Sequence, residues 1–215
     1  MTVSMGRFTH EEEIANAVSH LIGVFLSIAA LVLMIVFSAI KGTSWHIVSS
    51  AIFGTTLILL YLSSTFTHWL KPGKLKEFFF IIDQIAIFFL IAGTYTPMLL
   101  ISIGGTTGWI FFGIQWGMAS LGIVLKLFYT GRFKFISTLI YAFMGWIIVF
   151  RIDVLLTAIP TPAYWLLISG GLAYTVGIVF YALDSRIKYA HFIWHLFVMA
   201  GSILHYIMII KYVIN

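Results

Sequence analysis

The sequence predicts an all-α integral membrane protein, a bundle of seven transmembrane helices with a cytoplasmic N-terminus and the C-terminus outside. Three observations lead there. Hydrophobic residues make up 61% of the 215 and charged residues only 9%, whereas a soluble domain carries about 25% charged residues. Seven stretches are long and apolar enough to cross a bilayer, which takes about 20 residues. Lys and Arg are also shared unequally between the two sets of connections, as the positive-inside rule requires.

The predicted spans are 16–39, 46–69, 78–101, 107–128, 135–155, 163–183 and 190–211, one transmembrane domain over 1–215 behind a short cytoplasmic tail, 1–13. The first follows a polar lead, "MTVSMGRFTHEEEIANAVSHLIG", with no small-residue cleavage site after the apolar run. It is therefore expected to be a retained span and not a signal peptide. Within "THEEE", Thr9 and Glu12 have the spacing of a capping box. Breakers fall where spans should end: "KGTS", "KPGK", "GGTTG", "TGRFK", "IPTPA" and "DSRIK". In the fourth span, "GIQWG" (113–117) suggests close helix packing through its two glycines. The fifth span carries Arg151 and Asp153 near its end, placed to reach the interface or to pair with each other.

Orientation follows from the basic residues. Arg7, Lys71, Lys74, Lys76, Lys126, Arg132, Lys134, Arg186 and Lys188 fall on one side, and only Lys41, Arg151 and Lys211 on the other. The richer side is assigned to the cytoplasm. The net charge of +5 is thus explained by topology, and nucleic acid is not an expected partner. With no cysteine, thiolate metal sites and cysteine nucleophiles are excluded.

The polar residues inside the spans then fall into a pattern. His191 and His195 in "HFIWHLFVMAGSILHY" lie one turn apart and share a helix face. His68 closes the second span, and Asp83 sits one to two turns into the third, all toward the cytoplasmic ends. His205 is ten residues beyond His195, about 15 Å along the axis, and cannot join the same metal. A charged group in the bilayer centre costs roughly 2.5–3.5 kcal/mol, whereas neutral imidazoles are satisfied by coordination. His68, His191 and His195 therefore form a candidate Zn²⁺ set with an open fourth position, where a water would become more acidic. Asp83 could serve as general base or complete the ligand set, and Ser64, one turn before His68, could orient a water or an oxyanion. Asp83 could alternatively be a proton-relay group or pair with Lys76. His20 is expected to pack against the site or support it. Glu13, one turn before Asn16 and two before His20, lies close enough to take part beside the site, and His46 and His205 are expected to be interfacial or hydrogen-bonded. A lone H-x-x-x-H on an apolar helix is weak evidence, since packing or a helix–helix hydrogen bond explains it as readily as a metal does. It is the convergence with His68 and Asp83 in one leaflet that favours the metal.

Together, "EEEIANAVSHLIG", "SSTFTHW", "DQIAIFFLIAGTYTP", "AYTVGIVFYALD" and "HFIWHLFVMAGSILHY" resemble the bacterial hemolysin III family, the prokaryotic branch of the progestin and adiponectin receptor superfamily. The resemblance extends from about Glu11 to the C-terminus. It implies a seven-helix bundle in the bacterial cytoplasmic membrane with zinc on the positions matching His68, His191 and His195. Asp83 matches the residue that contacts the metal through water, and Ser64 a residue close by. The superfamily's grouping with alkaline ceramidases implies hydrolysis of a membrane lipid amide or ester. Three other readings stand beside it: a membrane-homeostasis or sensor protein with structural zinc, a cytolytic pore, and proton-coupled transport through Asp83 and the histidines, which lacks a polar path to the outer face.

Overall fold

The computed structural model describes residues 8–129 and 134–214. Arg7 and Arg132, two of the residues used to choose orientation, lie outside the described residues, as does most of "TGRFK". Within the described residues, seven helical spans are long and apolar enough to cross a membrane. This is a multi-pass membrane protein.

Helix α1 (His10–Lys41) starts six residues ahead of the expected span, because the predicted capping box organises its first turn. Thr9 Oγ1 accepts from Glu12 N at 3.3 Å, and Glu12 Oε2 accepts from Thr9 N at 2.9 Å. Helix α2 (Ser44–Trp69) follows a two-residue connection, and His46 Nδ1 takes the Thr43 N–H at 3.1 Å to cap it. Helix α3 (Lys74–Pro97) runs on into a π-helical turn, Met98–Ile103. Pro97 offers no N–H to the preceding turn, so the helix widens there. Gly104 and Gly105, at φ +61° and +54°, then reverse the chain in a conformation that favours glycine. Helix α4 is Gly105–Tyr129.

The fifth span is broken. Helix α5 (Lys134–Trp146) passes through a 3₁₀ turn, Ile147–Arg151, into the short α6 (Ile152–Ala158). Backbone polar groups freed within a bilayer must find partners inside the protein, and here side chains from other helices supply them. Tyr95 OH donates to the Gly145 carbonyl at 2.6 Å, and Gln115 Nε2 to that of Met144 at 2.8 Å. Arg151 and Asp153 pair with each other at 3.2 Å in an exposed position. Helices α7 (Thr161–Leu183) and α8 (Ala190–Ile209, continued by a π turn Ile210–Ile214) complete the bundle.

Helix α1 packs chiefly on α2 and also closes on α8, α7 packs on α8, and α5 rests only sparsely on its neighbours. The interior joins an apolar core, including Phe53, Leu57 and Leu99, to buried polar groups, and the exterior is apolar as well. Large apolar residues such as Phe25, Ile40, Phe128 and Phe135 face outward, while Asn16, Ser49, Ser50, Thr96 and Gln115 are fully buried. Many buried hydroxyls bond the carbonyl one turn back, as Thr65 does to Tyr61 and Thr94 to Leu90, each at 2.7 Å. The expectation for "GIQWG" is corrected. A Cβ on Gly113 or Gly117 would meet nothing within 4 Å, whereas one on Gly93 would lie 2.3 Å from Thr56 Oγ1. Close helix approach occurs at Gly93 and Gly122, because outward-facing glycines have no neighbouring helix to admit.

Candidate metal centre

The alternating direction of the helices brings the end of α2 and the starts of α1, α3 and α8 together, at the end of the bundle that carries Lys74, Lys76 and Lys188. His68 comes from the last turn of α2, and His191 and His195 from successive turns of α8. One ring nitrogen from each lies within 4.8 Å of those of the other two. The ring centroids are 5.0 Å apart for His68 and His191, 5.1 Å for His68 and His195, and 4.7 Å within the α8 pair. His68 and His195 are buried and His191 half-buried. This cluster could hold a metal ion.

The remaining nitrogens explain why these imidazoles converge. His68 Nδ1 is 2.6 Å from Glu13 Oε2, His191 Nδ1 is 3.3 Å from Asp184 Oδ2, and His195 Nδ1 is 3.2 Å from the Asn16 carbonyl. A carbonyl or carboxylate oxygen can only accept, so each Nδ1 carries the proton and each Nε2 keeps its lone pair for a metal. This fit rests on the donor set itself, three neutral imidazoles each oriented by a second partner, as metal-binding histidines usually are. Glu13 is in turn held by Lys76 Nζ at 2.6 Å, and Asp184 by Lys134 Nζ at 3.0 Å. The Phe8 ring lies against His68 and His191, with centroids 5.9 and 4.9 Å away.

Asp83 and Ser64 line one cavity of about 120 Å³ together with His20, His191 and His195. Leu90, Ile178 and Val198 make its wall apolar farther in, and His205 also borders it. Among the described residues, buried Ser64 Oγ has no hydrogen-bond partner of good geometry, although the Asp83 carboxyl is its neighbour. Asp83 also feels the charge of Lys126, which donates to Gln84 Oε1 at 3.1 Å. The alternative pairing of Asp83 with Lys76 is corrected, since Lys76 is committed to Glu13. His20 stacks on His195 with ring centroids 3.5 Å apart. His205 lies apart from the cluster, its Nε2 bonded to the Leu167 carbonyl at 3.0 Å.

A family model described as "Haemolysin-III related" matches residues 8–206. The chain belongs to the haemolysin III family. This family member is 45% identical over 208 residues to the hemolysin-3 homolog of Bacillus subtilis (strain 168), covering 97% of each chain. It is 42% identical to the hemolysin-3 of Bacillus cereus, covering 100% of this chain and 98% of the relative. The human monocyte to macrophage differentiation factor is 31% identical, over 96% of this chain and 87% of its own, linking the chain to the progestin and adiponectin receptor superfamily. No solved structure is a significant match.

Sequence reasoning placed the three histidines but missed Asp184, which looked like an ordinary loop charge in "DSRIK". The Asn16 carbonyl was also beyond reach, since a backbone acceptor leaves no mark in side-chain spacing. Glu13 did have a signal, being one turn from Asn16 and two from His20.

Proposed function

We propose that this protein is a zinc-dependent hydrolase that cleaves an amide or ester of a membrane lipid. The observation that carries the reading is that one cavity is lined by an acid, Asp83, by the buried Ser64 hydroxyl beside it, and by two of the three clustered histidines. His68, His191 and His195 would hold the zinc, a three-nitrogen set of the kind that leaves a coordination position open. Zinc bound there would polarise a carbonyl and make a water more acidic.

The chain's own residues supply the rest. The Asp83 carboxylate would take a proton from the attacking water as the C–O bond forms, and return it to the leaving amine or alcohol as the scissile bond breaks. Ser64 Oγ–H would donate to the carbonyl oxygen as negative charge develops on it. The apolar upper wall suits an acyl chain. Residues of the sparsely packed α5 and of α7, among them Thr138, Ala142, Gly171 and Thr175, border the cavity, which supports entry of a lipid between these helices. The excess of basic residues at the histidine end supports a centre in the cytoplasmic leaflet of the bacterial inner membrane.

The test is turnover of a panel of lipid amides and esters by zinc-loaded protein, wild type against Asp83→Asn. Hydrolysis by wild type that falls about 10²-fold or more in Asp83→Asn, with zinc retained, supports the reading. No turnover of any panel member under conditions where a ceramidase is active would defeat it in favour of structural zinc. Conductance of planar bilayers by the purified protein would point instead to the cytolysis suggested by the names of its relatives.

A further inference from the structure

Two of the three clustered histidines are held by the same device. On His68 it is Glu13 of α1 and Lys76 of α3, with each carboxylate oxygen committed, one to His68 Nδ1 and one to Lys76 Nζ, both at 2.6 Å. On His191 it is Asp184 and Lys134, at 3.3 Å and 3.0–3.1 Å. The first is the tighter and better enclosed. The side chains of His68, Lys76 and Glu13 are only 5%, 11% and 20% exposed, so their charges act through a poorly screening medium. Glu13 also follows Glu12, which accepts the Tyr189 N–H at 2.8 Å just before α8 begins. The first turn of α1 is thereby fixed against both metal-bearing helices.

We propose that Glu13 and Lys76 are positioning residues acting in opposite senses on metal affinity, an inference that rests on the metal-binding part of the function proposed above. Glu13 orients the His68 ring, keeps its proton on Nδ1, and makes Nε2 a stronger donor. Its negative charge also offsets part of the dication's. Lys76 places a positive charge on the same carboxylate, dividing its hold on His68 and opposing the cation. It keeps Glu13 compensated when no metal is present, because an unpaired buried carboxylate is costly.

The two signs separate this idea from a merely structural pair, whose disruption from either side would shift affinity in one direction. The experiment is zinc affinity by chelator competition on the full-length, detergent-purified protein, with the visible spectrum of the cobalt-loaded form as a second readout. Glu13→Gln is expected to weaken zinc binding roughly 10–100-fold and alter the cobalt bands. Lys76→Met is expected to tighten it several-fold. Glu11→Gln, the same charge change at an exposed position of the same turn, is expected to leave it within twofold. Should Glu13→Gln fail to accumulate, Glu13→Asp withdraws the carboxylate from His68 while keeping the charge and must also weaken binding. Unchanged affinity in the Glu13 variant, or a shift of the same sign in both, overturns the inference and leaves the hydrolase reading intact. A folded wild type that binds neither zinc nor cobalt overturns both.

Discussion

At the residue scale, the centre is defined by which nitrogen each histidine has free. His68, His191 and His195 each give Nδ1 to an acceptor from another part of the chain, whereas His205 gives Nε2 to a backbone carbonyl and stands outside the cluster. Elemental mass spectrometry of the purified protein should accordingly find near-stoichiometric metal in wild type and in His205→Ala, and little in His68→Ala or His191→Ala. Metal retained in all three variants would remove the cluster from consideration. His20 is a different case. Stacked on His195, with no hydrogen-bond partner for either ring nitrogen among the described residues, it supports that imidazole by contact area. His20→Phe, which keeps a flat ring, should preserve metal content, and His20→Ala should lower it by freeing the His195 ring.

At the scale of elements, glycines and side-chain caps decide how closely helices meet and where one of them can break. Gly93→Ala would drive a methyl into Thr56 on the facing helix, an overpacking that costs roughly 1–3 kcal/mol. Gly117→Ala meets open space and should be neutral. Thermal unfolding in one detergent would rank the two variants, and equal midpoints would show that α2 and α3 yield more readily than their packing suggests. The break between α5 and α6 depends on borrowed donors. Tyr95→Phe would leave the Gly145 carbonyl without its 2.6 Å bond and should destabilise by about 1–3 kcal/mol. The "GIQWG" pattern misleads because spacing alone does not say which helix face a glycine occupies. In the same segment, buried Gln115 does the structural work by reaching the Met144 carbonyl.

At the scale of the whole molecule, the bundle is a ring in which α1 meets both α2 and α8, with α5 its least supported member. Closing α1 onto α8 assembles the centre, since His195 lies against Asn16, Ser19 and His20. With metal bound there as proposed, chelation should therefore lower the unfolding temperature of the whole bundle, by the linkage between ligand binding and stability. A midpoint unmoved by chelator would mean that the ligands are fixed without the ion. Orientation is also a whole-molecule property. Reporter fusions after Asn215 should be active only in the form that works outside the cytoplasm, as the asymmetry of Lys and Arg predicts.

Apolar length and hydrophobic composition determine the seven spans from sequence alone, because bilayer thickness imposes one length on every crossing helix. The i, i+4 spacing of His191 and His195 also determines that they share a face, since helix geometry is local. What approaches that face is not local. The Glu13 carboxylate reaches His68 across 55 residues of chain, and the Asn16 carbonyl reaches His195 across 179. Only the tertiary structure decides those meetings. They depend on how α1 docks between α2 and α8, and that docking is set by packing, which a one-dimensional pattern does not encode.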